Sequence, residues 1–458
     1  MKNITAVILA AGAGTRMKSK IPKVIHQVCE KPMVQHVIDV AQELLAEKTI
    51  VVIGHGCEKV KEAISDNVEF ILQKEQLGTG HAVIQTQHDL PDEGHVLLLY
   101  GDTPLITSET IKELISYHEE GDFAATILTA HVNDPTGYGR IARDHSDRVV
   151  KIVEHKDANE EEKEITEINS GIYCYDAKLL KQSLSKLDNN NTQNEYYITD
   201  VVEILNKESY KVGAYKIEDE TEIMGVNSRI QLAKAEEVMR RRILNNLMQE
   251  GVTIIDPNNT YIDKEVKIGE DTIIYPGVII KGNTQIGEDC IIGHNCRIEN
   301  SMIKNNVKIQ SSTIVDSIVD DDCTIGPYAY LRPNSKLGKA VKIGDFVEVK
   351  NATIGDRSKA SHLSYIGDAE IGKEVNIGCG VVFVNYDGKN KHKTVVKDHA
   401  FVGSNTNLVA PITVEEYGYI ATGSTITKDV PEGSLSVARG KQKNIAGWVE
   451  RKGVLKKD

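Results

Sequence analysis

Two hydrophobic periods divide the chain. Up to residue 228, short apolar runs (Thr5–Leu9, Ile50–Ile53, His95–Leu99) alternate with stretches of helical spacing (Val34–Ala46, Thr110–His118). Strands separated by amphipathic helices predict an α/β unit, a mostly parallel sheet with helices on both faces. Ligands of such sheets sit beyond the carboxyl ends of the strands, so the loops after Leu9 and Tyr100 are where chemistry is expected. Arg229–Glu250 is one continuous helical pattern with an apolar stripe (Ile230, Ala233, Val238, Ile243, Leu247), closed by Gly251. It reads as a rigid connector or, equally, as the last helix of the first domain.

After Gly251 the period changes. Ile268, Ile274, Ile280, Ile286, Ile292 and Ile298 recur every six residues; Ile325, Leu331, Leu337, Ile343 and Val349 resume the stride, and Val402, Leu408, Val414, Ile420 and Ile426 repeat it. Six steps of about 100° give no helical face, whereas an even stride keeps residues on one side of extended chain. Glycine follows many of these positions, as at Ile268-Gly269 and Ile343-Gly344, which is expected where the chain turns sharply. The pattern is the hexapeptide repeat of a parallel β-helix, in which each coil buries its ladder against its neighbours. A β-sandwich with an accidental period is the alternative. Three segments are therefore expected: residues 1–228, a helical linker 229–250, and 251–458. The register is expected to break between Lys350 and Val402, with an irregular loop projecting at Asn385–Lys397.

Composition narrows the function classes. Lys and Arg number 54 against 67 Asp and Glu, a net charge of −13, which argues against nucleic acid or an anionic membrane as partner. No run of 18 apolar residues occurs, so no membrane span is expected, and the N-terminal apolar run is too short and too quickly followed by a Gly-rich turn for a signal peptide. The seven cysteines contain no C-x-x-C pair and fit reduced thiols in a cytoplasmic protein.

Candidate chemistry begins at Leu9-Ala10-Ala11-Gly12-Ala13-Gly14-Thr15-Arg16, with Lys23 shortly after. Small residues allow close backbone approach to a nucleotide, exposed N–H groups suit phosphate oxygens, and Arg16 and Lys23 supply positive charge. Alone, this motif is neither a dinucleotide fingerprint nor a Walker loop. Gln73 and Leu77-Gly78-Thr79-Gly80-His81-Ala82 offer contacts suited to a base. Tyr100-Gly101-Asp102 ends a strand with a carboxylate that, with Asn227, suffices as a protein share of Mg²⁺ ligands. Gly139 and Glu154 also read as a turn glycine and a solvated carboxylate.

Together, L-A-A-G-x-G-T-R-M…P-K, L-G-T-G-H-A and Y-G-D resemble the sugar-nucleotide pyrophosphorylases, nucleotidyltransferases of Rossmann-like fold. The resemblance implies that a sugar-phosphate oxygen attacks the α-phosphate of UTP and expels pyrophosphate, with Mg²⁺ as cofactor. It implies uridine contacts at Leu9, Ala10, Ala11, Gly12, Gln73, Gly78 and Thr79. N-acetylglucosamine contacts are implied at Gly139, Glu154, Asn169 and Asn227, catalytic cations at Arg16 and Lys23, and metal ligation by Asp102 and Asn227.

In the second half, Lys350, Ser361-His362-Leu363-Ser364-Tyr365, Asn376, Asn385-Tyr386-Asp387-Gly388 and Lys391-His392-Lys393 form the densest polar constellation. A histidine on a coil surface can serve as the base that acyl transfer to an amine requires. Hexapeptide β-helices resemble a large class of acyltransferases. With Arg332-Pro333 and Arg439, the order of motifs resembles the family of bifunctional UDP-N-acetylglucosamine pyrophosphorylase/glucosamine-1-phosphate N-acetyltransferases from end to end. The resemblance implies a left-handed coil with His362 as catalytic base. It implies Arg332, Lys350, Tyr365 and Asn376 on the sugar phosphate, and Cys379, Asn385, Tyr386, Ser404, Thr422 and Arg439 on acetyl-CoA. It also implies a homotrimer whose product feeds peptidoglycan and other envelope polymers. Cys379 and Thr422 depart from the family's alanines, and Cys379 admits an acyl-enzyme alternative that no base-activated cysteine motif supports. The competing functions are a single-activity sugar-nucleotidyltransferase with a regulatory or oligomerising β-helix, and a non-catalytic scaffold of the same plan. Intact Arg16, Lys23 and Asp102 speak against the scaffold.

Overall fold

The computed structural model describes residues 3–454, which form two compact units divided between Met239 and Arg240. The helix Arg229–Gln249 runs through the division between them.

The first unit is built on a mixed sheet. Its main strands are β1 (Ile4–Ala10), β2 (Lys48–Ile53), β3 (Glu69–Leu72), β4 (His95–Tyr100), β5 (Ala125–His131), β6 (Glu167–Asp176) and β7 (Val212–Ile217), in the order β7-β5-β6-β4-β1-β2-β3. β1 is buried along its whole length and pairs in parallel with β2 and β4, as a run buried on both faces should. The departure from a mostly parallel sheet is β6, which lies antiparallel between β4 and β5. Two apolar clusters flank the sheet. One packs helix α1 (Met33–Glu43) and helix α2 (Ser108–Gly121) on one face, and the other packs Ala177–Leu184 and Asp200–Lys207 on the opposite face. Thr107 caps α2 by accepting from Thr110 N, and Asp122 ends it in the left-handed conformation. Leu9 pairs with Tyr100, so the carboxyl ends of β1 and β4 deliver the glycine loop and Asp102 to the same edge.

The second unit is a parallel β-helix. On one face Ile273–Ile274, Ile291–Ile292, Lys308–Ile309 and Thr324–Ile325 follow one another in parallel register, and two further faces repeat the arrangement. The interior ladder is continuous: Ile303, Ile309, Ile314 and Val319 bridge Ile298 to Ile325, and Ile354, Ala360, Ile366, Ile371, Ile377, Phe383 and Val396 fill Lys350–Val402, all buried. The expected breaks are therefore corners shortened from six residues to five, together with the long step from Phe383 to Val396 that carries the projecting loop. Corners are turned by left-handed residues three positions after the ladder residue, such as Asp271, Asp289 and Asn295. Gly269 and Gly344 have ordinary backbone angles. A Cβ on Gly344 would lie 1.9 Å from Ser361 O of the next coil, so these glycines serve close stacking of coils, not the turn itself. Cys290, Cys296 and Cys323 occupy small-residue positions inside the coil, and the thiols of Cys290 and Cys323 donate to carbonyls of the following coil. The projecting loop is shorter than expected, because Thr394–Val396 already forms a strand.

Candidate functional site

In the first unit a cleft of about 510 Å³ opens at the carboxyl edge of the sheet. Of the residues singled out above, Leu9, Ala10, Ala11, Gly12, Arg16, Lys23, Gln73, Gly78, Thr79, Asp102 and Asn227 line it. Gly14 is left-handed (φ 61°), and a Cβ there would strike Lys23 Cβ at 2.5 Å, so glycine lets the loop fold onto Lys23. Lys23 Nζ forms an ion pair with Asp102 and donates to Asn227 Oδ1 at 2.8 Å. Two hard oxygens from different segments thus converge on one cation, and Val226 N, donating to Asp102 O at 2.8 Å, fixes the segments together.

Gln73 Nε2 donates to Gly78 O at 3.1 Å and contacts His81 Nδ1 at 3.1 Å, fixing the proposed base-binding loop. Gly139, Glu154 and Asn169 are not among the residues that line the cleft. Asn169 N donates to Gly139 O at 2.9 Å, and a Cβ on Gly139 would meet Ile152 Cγ2 at 3.0 Å. Burial pushes the Glu154 carboxyl up, opposed by Thr199 Oγ1, which donates to it at 3.3 Å. Burial, with Glu154 and Asp102 near, likewise pushes the Tyr100 phenol up. Sequence reasoning missed Gln76, Ser170 and Glu195, which also line the cleft. Ser170 follows the singled-out Asn169 on β6, whereas Glu195 comes from a segment with no strand or motif signal of its own.

In the second unit His362 sits on an exposed corner, where Nδ1 donates to Asp345 Oδ1 at 2.8 Å. A carboxylate only accepts, so the bond assigns the proton to Nδ1 and leaves the Nε2 lone pair facing outward. The Asp345 carboxyl is held below its usual range by its own backbone N–H and by His362. Asp345 was missed because its partnership spans 17 residues, one full coil; the signal is an acid one coil before the histidine. The same corner continues through Cys379, Ser404 and Thr422, shown by the registers Ala360↔Ile377, Ile377↔Val402 and Val402↔Ile420. Gly380 N donates to Leu363 O, Asn405 N to Cys379 O and Gly423 N to Ser404 O, while Arg439 Nη1 donates to Thr422 O at 2.7 Å. The carbonyl groups of Cys379 and Thr422 are thus already taken, by Asn405 N and by the Arg439 guanidinium.

Around the corner, Lys350 pairs in register with Gly367, next to Tyr365. Lys391 crowds Lys350 and, with partial desolvation, holds its ammonium below the usual lysine range; Arg332 adds to the repulsion. Crowded cations of this kind suit an anion. Arg332 Nη1 donates to Glu348 Oε1 at 2.7 Å. Tyr365 OH and Asn385 Nδ2 meet over Gly367, where a Cβ would lie 2.4 Å and 2.7 Å from them. Asn376 is not brought to this group; it stands on the adjacent face in register with Lys359 and Phe401. The Asn385 loop is a closed hairpin: Tyr386 bridges Lys391, His392 N donates to Asn385 O at 2.8 Å, and its contacts hold the Asp387 carboxyl down at about 2.

Comparison with known proteins gives consistent relatives. The nucleotidyl transferase family matches residues 5–222, and the GMPPB C-terminal domain family matches residues 254–354. A protein of Alkaliphilus metalliredigens (strain QYMF) named Bifunctional protein GlmU is 62% identical over 454 residues, 99% of this chain and 100% of its own. Proteins of the same name from Alkaliphilus oremlandii (strain OhILAs) and Clostridioides difficile (strain 630) are 61% and 60% identical. They match 99% and 98% of this chain, and 100% and 98% of their own.

Proposed function

The chain belongs to the family of bifunctional GlmU proteins, enzymes that carry a nucleotidyl transferase domain, and from that premise we propose what each half does. The β-helix acetylates glucosamine 1-phosphate with acetyl-CoA. The first unit then transfers UMP from UTP to N-acetylglucosamine 1-phosphate and releases pyrophosphate, making a precursor of peptidoglycan. The observation that favours two activities over a nucleotidyltransferase with an inert coil is the His362–Asp345 pair. The pair fixes the tautomer that leaves Nε2 able to accept a proton, which supports a base at this corner.

In the first reaction Nε2 of His362 takes a proton from the attacking amine, the new N–C bond forms at the thioester carbonyl, and the C–S bond breaks to release CoA. Lys350, Lys391 and Arg332 neutralise the sugar phosphate, and binding it relieves the crowding of the two ammonium groups. Tyr365 and Asn385 orient the sugar. Acetyl-CoA lies along the corner from Cys379 to Arg439. Asn376, on the neighbouring face, completes such a site when a second copy supplies it. The exposed, stacked Tyr328 and Phe346 offer an apolar surface for that packing, which supports a homotrimer.

In the second reaction the small residues of Leu9–Gly12 let backbone N–H groups reach the nucleotide, and Arg16 and Lys23 hold the phosphates. Asp102 and Asn227 would hold Mg²⁺, and Lys23, tied to them in this structure, would then be released to face phosphate. The donor set fits the ion: two hard oxygens already share one cation, and Mg²⁺ takes few protein ligands. When bound, the ion supplies charge neutralisation on the triphosphate. The phosphate oxygen of the sugar forms the new P–O bond at the α-phosphorus as the bond to the β-phosphate breaks.

Among the described residues no helix is long and apolar enough to cross a membrane, and soluble substrates support a cytoplasmic site of action. The test is full-length protein carrying His362→Ala. It should lose acetylation of glucosamine 1-phosphate and keep UTP-dependent pyrophosphate release. Survival of both activities would refute the assignment.

A further inference from the structure

A cluster of metal-ligating side chains lies at the sheet edge opposite the nucleotide cleft. His95 opens β4, Cys174 lies on the adjacent strand β6, and His118 sits in the last turn of α2. Their exposures are 3, 1 and 0% for His95, His118 and Cys174, and one donor atom from each lies within 4.8 Å of the others. A fourth donor, Glu119 Oε1, is 3.3 Å from His95 Nε2; its side chain is partly exposed and gives an ion a way in. Neither proposed transfer reaction uses these groups.

We propose that His95, His118, Cys174 and Glu119 form a structural site for a zinc-class divalent ion. Two imidazoles, a thiolate and a carboxylate suit a borderline-soft, tetrahedral ion and not Mg²⁺. Zn–N and Zn–S bonds of about 2.0–2.3 Å put donors roughly 3.5 Å apart, so the cluster closes by about 1 Å on binding. His118 Nδ1 contacts Thr126 Oγ1 at 2.9 Å, the outer hydrogen bond that fixes a metal-ligating imidazole. Cys174 gives its proton to solvent as the Sγ–metal bond forms. One thiolate and one carboxylate then cancel the charge of the ion, which keeps the buried site neutral. The ion ties the end of α2 to β4 and β6. Its remoteness from the cleft makes it a stabilising element of the first unit.

The test uses metal-depleted, full-length protein titrated with Co²⁺ under reducing conditions. The expected result is one thiolate-to-cobalt charge-transfer band per chain, displaced by Zn²⁺, with a zinc-dependent rise in the melting temperature of wild type. Both signals should vanish in Cys174→Ala. Absence of the band in wild type, or its persistence in Cys174→Ala, would overturn the proposal. Should Cys174→Ala fail to fold, Glu119→Gln should bind Co²⁺ at least tenfold more weakly, and unchanged affinity would equally overturn it.

Discussion

Replacing Gly78 by alanine separates the two activities in a single chain. Gly78 has φ 110° and ψ 174°, a region that only glycine enters freely, at a cost of about 1–3 kcal/mol for other residues. The added Cβ would lie 2.4 Å from Tyr196 O and 2.9 Å from Tyr196 N, so the loop and the Tyr196 segment must part. Parting them breaks the bonds Tyr196 N to Leu77 O (2.8 Å) and Gly80 N to Tyr196 O (2.7 Å), each worth about 1 kcal/mol net. The loop takes the cheaper of strain and opening. The geometry that receives the uracil is therefore disfavoured by about 2 kcal/mol, on the order of thirtyfold in kcat/KM for UTP. Pyrophosphate release reads this loss, and acetyl transfer by the same preparation, measured as CoA formation, should stay unchanged. A fall of less than about fivefold in UTP kcat/KM would refute the role of this loop. A parallel loss of acetylation would show that the substitution unfolds the protein.

Asp345→Asn replaces an acceptor-only carboxylate by an amide that can also donate to His362 Nδ1, so the tautomer is no longer fixed; acetyl transfer should fall about a hundredfold in kcat with UTP turnover untouched, measured by the same pair of assays. Cys379→Ala should leave acetyl transfer within about twofold, and a loss near that of His362→Ala would restore the acyl-enzyme route. Asp200→Asn probes linkage. Burial and the acids Asp188, Glu203, Glu154 and Asp157 raise the carboxyl from 3.8 to about 6. The folded state thus binds the proton more tightly, and stability falls as pH rises from about 4 to 6. Above pH 6 the variant should be more stable by about 1 kcal/mol after allowance for screening at this partly exposed group. The gain should shrink toward zero at pH 4, as melting temperatures across that range would show. Ile292→Ala, in the fully buried ladder, should cost about 2–5 kcal/mol by chemical denaturation of the second unit.

How far the residues alone disclosed this architecture differs between the halves. The six-residue stride carried the coil because every ladder position points inward by the same count. It was lost where Asn300, Ser311 and Asp316 turn a corner in one residue fewer, although Ile303, Ile314 and Val319 remain buried. In the first half the loops after Leu9 and Tyr100 were found from strand ends and small residues. The antiparallel course of β6 was not, because strand direction depends on which edge is open when Glu167–Asp176 docks, not on its own composition. The same limit explains Asp345 and Lys391. Their importance comes from neighbours one coil or one hairpin away, a relation that linear spacing expresses only once the coil length is known.

With acetyl-CoA along it as proposed, the corner that carries Asp345, His362, Cys379, Ser404 and Thr422 would work as a ruler. Parallel pairing sets successive rungs about 4.8 Å apart, so a substituent on each rung samples a linear ligand at a fixed interval. Inserting or deleting a whole turn beyond Thr422 would change the reach along such a ligand without shifting the imidazole. Side-chain exchange at one rung alters a single segment of contact. A scaffold graduated in this way can be retuned for longer or shorter acyl carriers by adding rungs while its chemistry stays where it was.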